Sequence, residues 1–172
     1  PSALIGIQAV LIGLAIGLIL GILAAWKHNS GIDYFTMILA VLGVSVPNFV
    51  AAALLQYYIG LKWGVLPVGF WTGWNCSVLP SIALSFSATA MVARFMRTEM
   101  LDVLDQDYIV TARAKGLSQM KVLMRHAVRN SILPVVTILG PIVVNLMTGS
   151  LAVENIFSIP GIGSLFVDCI KA

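Results

Sequence analysis

Hydrophobic positions fill long stretches of this chain, and the charged positions fall between them. Four stretches carry no charged residue: 1–26, 34–61, 63–93 and 130–153. A helix needs roughly 20 apolar residues to cross the hydrocarbon core of a bilayer. Each stretch is therefore long enough to hold one membrane-spanning helix.

This pattern predicts an all-α membrane protein, a polytopic helical bundle that forms a single domain over 1–172. The composition agrees, because 59% of the residues are hydrophobic and only 10% are charged, whereas soluble domains have about 25% charged residues. We expect spans over 4–26, 34–61, 80–98 and 131–152, joined by an outer loop over 62–79 and a loop over 99–130, and followed by an outer segment over 153–172.

The basic residues indicate how the bundle lies in the membrane. Eight of the ten Lys and Arg residues fall between the first and second spans or between Arg94 and Arg129. Basic residues concentrate on the cytoplasmic side of membrane proteins, so we expect 99–130 to be cytoplasmic and both ends of the chain to face outward. This topology and contact with anionic lipid account for the net charge of +3, so no nucleic-acid partner is predicted.

The two ends of the chain suggest a piece of a longer protein. The sequence begins at Pro1 directly on an apolar stretch, and it stops at Ala172 without a recognisable terminus. We therefore expect further spans before and after it, in a number that the sequence leaves open.

Small residues recur on one face of the first predicted span. Gly13, Gly17 and Gly21 are four residues apart, which stacks them on one side of a helix. Glycines in this arrangement let two membrane helices approach closely. We expect this face to pack against a neighbouring helix, a structural role that requires no part in transport.

Prolines interrupt the second and fourth predicted spans. Pro47 lacks a backbone N–H and should kink its helix, and Ser45 or Asn48 can pair with the carbonyl that the kink frees. Pro134 and Pro141 lie in the fourth span. All five residues are candidates for a kink or for the lining of a pathway, and a static kink fits the sequence as well as a moving hinge.

Polar and aromatic residues mark both sides of the predicted bundle. The outer loop combines Gly and Pro with tryptophans, which is typical of a membrane interface. Cys76 and Cys169 both fall on the predicted outer side, so whether they form a disulfide is open. On the other side His28 and Asp33 share a short polar turn, but a metal site needs more ligands than these two. We predict no metal site.

The most informative stretch is the loop over 99–130. Asp105 or Asp107 can cap a helix that ends near Lys115, with Gly116 directly after its C-terminus. A second helix follows. Its apolar residues recur at spacings of three and four: Met120, Leu123, Met124, Ala127 and Val128. A protrusion with one apolar and one basic side suits docking into a partner's groove, and it suits an anionic lipid surface equally well.

Two motifs in this loop resemble a known family. Residues 107–117 read D-Y-I-V-T-A-R-A-K-G-L, and residues 125–134 read R-H-A-V-R-N-S-I-L-P. Together they resemble the EAA loop of ABC-importer permeases, in the form found in the oligopeptide, dipeptide and nickel branch. Segments 43–49 and 153–163 also resemble that branch. Residues 110–112 are V-T-A where the family has Glu-Ala-Ala, so a contact made by that glutamate cannot be transferred to this chain.

The resemblance implies a division of labour between subunits. It implies a second permease subunit, two cytoplasmic ABC ATPase subunits that bind ATP, and an extracytoplasmic solute-binding protein, all at the cytoplasmic (inner) membrane of a bacterium. It also implies that 99–130 is the coupling loop that docks on the ATPase. Its candidate residues are Thr111, Ala112, Arg113, Ala114, Lys115, Gly116, Leu117, Met120, Lys121, Leu123 and Met124. The chain lacks a Gly-Lys-Ser/Thr phosphate loop, so we expect no cofactor on this chain, no enzymatic activity of its own, and ATP on the partner ATPase.

Residues beyond the fourth span are candidates for an outer gate. Proline and glycine interrupt this segment too often for it to cross a bilayer as a helix. We expect a short element that closes the outer mouth, although an ordinary connecting loop fits the same residues. The candidates are Glu154, Phe157, Pro160, Gly161 and Gly163.

Three other functional classes compete with a binding-protein-dependent permease. An ion-coupled secondary transporter usually has ionisable residues inside its spans, and the four uncharged stretches have none. A membrane enzyme is disfavoured because no nucleophile motif is recognisable. A structural helix bundle would leave the elaborated loop over 99–130 without a role. The cargo, peptide or nickel, and whether the two permease subunits are identical are not determined by the sequence.

Overall fold

A computed structural model describes residues 1–148, 151–163 and 169–170. The described residues form helices and contain no β-strand, which confirms the all-α fold class. The helices are α1 (Ser2–Trp26), α2 (Gly31–Ser45), α3 (Asn48–Leu55), α4 (Val78–Leu104), α5 (Asp107–Ala114), α6 (Gln119–Lys121), α7 (Arg129–Met147) and α8 (Leu151–Ile156). Two π-helical segments, Gln56–Lys62 and Val122–Val128, continue α3 and α6, and a 3-10 turn, Trp74–Ser77, leads into α4. Residues 164–168 and 171–172 of the predicted outer segment lie outside the described residues.

Helix α4 is the centre of the bundle, and α1 packs along it. Met96 and Met100 of α4 are fully buried. The glycine face of α1 lies against α4, because a Cβ added to Gly17 would be only 2.8 Å from the Val92 Cβ and 2.9 Å from the Thr89 carbonyl oxygen. Added Cβ atoms on Gly13 and Gly21 would meet α4 at similarly short distances. The spacing of four residues therefore identifies the face on which α1 contacts a neighbour.

The second uncharged stretch is broken instead of forming one straight span. Helix α2 and the helix that runs from Asn48 to Lys62 are bent by 97° at the break. The helical hydrogen bonds stop at Val46 N–H, which donates to Leu42, and begin again at the Pro47 carbonyl, which accepts from Val50 and Ala51. Within the described residues, the hydrogen bonds at the break are made by backbone groups, and the side chains of Ser45 and Asn48 make none there.

Helix α7 continues through both of its prolines. Pro134 and Pro141 lie inside Arg129–Met147, whereas Pro47 stands at a helix end. Proline inside a helix removes one backbone hydrogen bond, whereas proline at a helix start removes none that the helix would form. Three helical stretches in the described residues are long and apolar enough to cross a membrane, and the bent pair would make a fourth if it counts as one span.

Helix α4 extends further than the predicted span over 80–98. It ends at Leu104. Met100, beyond the end of the predicted span, still packs into the core, while Asp102 faces solvent. The first six residues of the predicted loop over 99–130 are therefore a continuation of the central helix, and they connect the spans rigidly to α5.

Candidate functional site

Helices α5 and α6 form a hairpin at the end of the bundle that also carries the turn over 27–30, which we call the basic end. Gly116 separates the two helices and has a φ of +77°, a conformation that glycine adopts without steric strain. Its N–H donates to the Arg113 carbonyl at 2.9 Å. No side chain caps either helix: α5 begins after Gln106, whose amide donates to Asp102 instead.

The exposed surface of this hairpin is mixed apolar and basic. Most of the candidate coupling residues are exposed, among them Thr111, Arg113, Ala114, Lys115, Gly116 and Lys121. On α5, Val110 is exposed. From Gly116 onward, the exposed apolar residues of the hairpin are Leu117, Met120 and Met124, which are 37%, 51% and 53% exposed. We call these three residues the apolar docking face.

Two candidate residues do not belong to this face. Leu123 is 4% exposed and packs into the core of the bundle, and Ala112 is buried with Ile109 and Val122 under the hairpin. The sequence prediction that Met120, Leu123 and Met124 share one side is therefore wrong. Its cause is the π-helical segment Val122–Val128, because a π-helix has more residues per turn than the 3.6 on which the predicted face was based.

The hairpin is fixed to the long helices by packing and by hydrogen bonds. Leu123 belongs to the same buried cluster as Met100 of α4. The Asn130 amide donates to the Tyr108 hydroxyl at 3.0 Å, which joins α7 to α5. The Ser131 hydroxyl donates to the Glu99 carbonyl at 3.3 Å. These contacts attach the hairpin to α4 and α7.

A buried ion pair, which the sequence reasoning missed, joins α2 to α4 at the basic end. The Arg97 guanidinium donates to both carboxylate oxygens of Asp33, at 2.6 and 2.8 Å. The same carboxylate accepts from the Asn29 N–H at 3.0 Å and lies 3.1 Å from His28 Nδ1. Asp33 is 2% exposed. The charges of Asp33 and Arg97 were visible in the sequence, but no local pattern indicates a pair of residues 64 positions apart.

At the opposite end, residues 153–163 of the outer segment are folded against the bundle. Phe157 and Glu154 are buried, whereas Pro160 is exposed. The Gly163 N–H donates to a Glu154 carboxylate oxygen at 2.8 Å, and the Ile162 N–H donates to the Ser2 hydroxyl at 2.9 Å. A Cβ on Gly161 would collide with the Glu154 carboxylate. The glycines allow the chain to pass close to this buried carboxylate.

Three further hydrogen bonds, also missed from the sequence, join the outer segment, the outer loop and Gln56. The Gln56 amide donates to the carbonyls of Val68 and Ile156, both at 2.7 Å. The Phe70 N–H donates to the Phe157 carbonyl at 2.9 Å. The sequence signal for Gln56 was its place as a polar residue in an otherwise apolar stretch.

Polar side chains gather in one cleft between the helices. Asn48 of α3, Ser87 of α4 and Asn145 of α7 line a cleft of about 210 Å³. It includes one of the residues predicted for a kink or pathway, Asn48. Ser45, Pro47, Pro134 and Pro141 do not line it.

The described residues also include a buried carboxylate oxygen, Glu154 Oε1, that has no hydrogen-bond partner among them. They include no group of three or more His, Cys, Asp or Glu residues able to hold a metal ion. Cys76 is buried, Cys169 is exposed, and both are free thiols.

Comparisons with known proteins agree with this geometry. A family model described as "Binding-protein-dependent transport system inner membrane component" matches residues 17–172. The chain is 44% identical over 171 residues to the dipeptide transport system permease protein DppB of Lactococcus lactis subsp. cremoris, covering 99% of this chain and 56% of that protein. It is 46% identical to DppB of Bacillus subtilis, with 97% and 54% covered. It is 43% identical to the oligopeptide transport system permease protein OppB of Salmonella typhimurium, with 97% and 55% covered.

A solved structure has a similar fold. It is described as the crystal structure of an amino acid ABC transporter with histidines, and it aligns with a TM-score of 0.74 at 19% identity, over 99% of this chain and 74% of that one. The chain spans about half the length of the curated relatives it matches. The family model covers most of the chain, so the chain belongs to the family of binding-protein-dependent transport system inner membrane components.

Proposed function

We propose that this chain is the core of a peptide-importing ABC permease, which lines the path of dipeptides or oligopeptides and couples it to a separate ATPase. The observation that carries the proposal is the hairpin of α5 and α6, with Gly116 at a φ of +77° and an exposed apolar docking face. Three exposed apolar side chains beside basic residues suit the groove of a partner protein. The relatives named for dipeptide and oligopeptide transport support peptide as the cargo.

The proposal assigns distinct partners to the two ends of the bundle. The basic end, with residues 99–130, faces the cytoplasm and docks on one of two ABC ATPase subunits, which bind and hydrolyse the ATP. The opposite end faces outward and receives cargo from a solute-binding protein. A second permease subunit completes the passage within the bacterial inner membrane, and this chain binds no cofactor of its own.

Movement of the ATPase would reach the spans through rigid connections. The hairpin contacts α4 through Leu123 and contacts α7 through the hydrogen bond between Asn130 and Tyr108. Both of these long helices also line the cleft that contains Ser87 and Asn145. We propose that this polar cleft is part of the path for peptide, because amide and hydroxyl groups can replace the hydrogen bonds that a peptide makes to water.

The outer segment would act as the outer gate of this path. Phe157 is its buried anchor, and Glu154, Gly161 and Gly163 set the fold of the chain around it. Pro160 lies at the exposed tip of this segment, where its fixed φ limits the shapes the gate can adopt.

Peptide uptake by the full-length protein in proteoliposomes, with its partner subunits, tests this function. Replacing Met120 and Met124 together by Asp removes the apolar docking face without touching the core, so uptake and peptide-stimulated ATP hydrolysis should both fall by about tenfold or more, the effect of losing an interface anchor. Lys121→Gln should have a smaller effect, because Lys121 is an exposed neighbour whose charge is screened by solvent. Replacing both methionines by Leu, which keeps the face apolar, is the matched control. Normal uptake in the double variant would refute the assignment of this surface, and the absence of any peptide uptake by the wild-type complex would refute the cargo.

A further inference from the structure

One amide side chain joins three parts of the chain at the end opposite the hairpin. Gln56 is the first residue of the π-helical segment Gln56–Lys62. Its Nε2 donates one hydrogen bond to the Val68 carbonyl in the outer loop and one to the Ile156 carbonyl at the end of α8, both at 2.7 Å. The two N–H groups of one side chain thus hold two carbonyls that lie 12 and 100 residues away along the sequence.

The outer loop and the outer segment also meet beside this amide. The Phe70 N–H donates to the Phe157 carbonyl at 2.9 Å, and a Cβ on Gly69 would come within 2.9 Å of the same carbonyl oxygen. Phe157 is 1% exposed. Gln56 therefore lies at a closed junction between the broken helix, the outer loop and the outer segment.

The break at Pro47 lets the helix that carries Gln56 move relative to α2. Because the helical hydrogen bonds stop at Val46 and begin again at Pro47, the helix from Asn48 to Lys62 can turn relative to α2 without breaking a continuous ladder. Breaks of this kind and π-helical segments are common at moving or functional parts of helices. A turn of this helix would carry the Gln56 side chain with it.

We propose that Gln56 is a positioning residue that holds residues 153–163 of the outer segment closed against the outer loop. The inference rests on the proposed function of the outer segment as a gate. Glutamine fits this role because its amide supplies two donors to two acceptors. A glutamate of the same length has no donor when ionised and repels both carbonyls, and methionine has a similar length but no donor.

The test is the accessibility of a buried reporter in the outer segment. Val153 is 1% exposed in α8, so Val153→Cys in a cysteine-free background should react slowly with a thiol reagent while the segment is closed. The measurement uses the full-length protein assembled with its partner subunits, without nucleotide or peptide. Gln106→Glu is the matched control, since Gln106 makes its single side-chain hydrogen bond at the basic end.

We expect Gln56→Glu to raise the labelling rate at pH 8 by roughly tenfold, because two hydrogen bonds are lost, and Gln56→Met to raise it less. The Gln106→Glu control should leave the rate unchanged. At pH 4, just below the ordinary pKa of a glutamate carboxyl, the Gln56→Glu rate, relative to the Gln56 protein at the same pH, should fall again, since a protonated carboxyl donates one hydrogen bond. If Gln56→Glu only loosened the packing, acid would not lower its labelling rate again.

Three results would overturn the inference. The first is unchanged labelling in both Gln56 variants, and the second is an equal increase in the Gln106→Glu control. The third is a Gln56→Glu rate that acid does not lower. If Gln56→Glu fails to assemble, Gln56→Met is the deciding variant. An unchanged labelling rate in Gln56→Met counts against the proposed role of Gln56. The labelling is measured without cargo, so it does not depend on which substrate is transported. The proposed function is tested separately, and absence of peptide uptake by the wild-type complex would refute it.

Discussion

The packing of α1 on α4 gives a prediction whose size follows from the structure. A methyl group added at Gly17 would lie 2.8 Å from the Val92 Cβ and 2.9 Å from the Thr89 carbonyl oxygen. The Thr89 atom is backbone, so it cannot move aside as the end of a flexible side chain can. Gly17→Ala must therefore push the two helices apart, and such overpacking costs about 1–3 kcal/mol. Gly17→Leu should disrupt assembly of the bundle.

Gly140 provides the comparison for this measurement. It lies inside α7, and among the described residues no atom would come within 4 Å of an added Cβ. Replacing Gly by Ala stabilises a helix by roughly 1 kcal/mol through helix propensity. This gain is the same in Gly17→Ala and Gly140→Ala, so the difference in stability between the two variants measures the packing cost at Gly17. The assay is the free energy of unfolding of the full-length protein in mixed micelles titrated with SDS. Equal stability of the two alanine variants would refute the packing argument.

Three further predictions concern the two ends of the bundle. Asp33→Asn weakens the pair with Arg97 and should lower the free energy of unfolding by about 2 kcal/mol, the scale of hydrogen bonds to a charged group; an unchanged SDS midpoint would contradict this. Gly116→Val forces a β-branched residue into a φ of +77°, which costs roughly 1–3 kcal/mol, and should abolish peptide-stimulated ATP hydrolysis. Gly116→Asn, which tolerates that φ, and Gly31→Val, at a site with open space, should retain it. Equal activity in all three variants would count against a role for the Gly116 turn in coupling. Ser158→Cys should react with a thiol reagent at different rates in nucleotide-free and ATP-trapped complexes; equal rates would argue against a gate.

Local rules made much of this arrangement predictable from the sequence. A glycine directly after a helix commonly takes a positive φ, and Gly116 does so. Glycines spaced by four must share a helix face, and the stripe on α1 contacts α4. Pro47 marked where the second stretch is interrupted, but its missing N–H does not determine the bend of 97°, which depends on what the two halves pack against.

Long-range contacts and irregular helices were not predictable in the same way. The face of α6 was misassigned because a π-helical segment shifts Leu123 into the core, and π-helices have no reliable sequence signal. The pair of Asp33 and Arg97 and the two bonds of Gln56 join residues far apart in the chain. Such pairs are set by tertiary packing, which a single sequence does not specify.

Cross-linking from the apolar docking face tests the central claim most directly. A photoreactive cross-linker on Met120→Cys in the full-length protein, assembled with its partner subunits, should form an adduct with the ATPase subunit, and ATP trapping should change its yield. The same cross-linker on Ser158→Cys, at the opposite end of the bundle, should give no adduct with that subunit. A Met120→Cys adduct with lipid alone, in a complex that still transports peptide, would contradict the assignment of the hairpin as the coupling element.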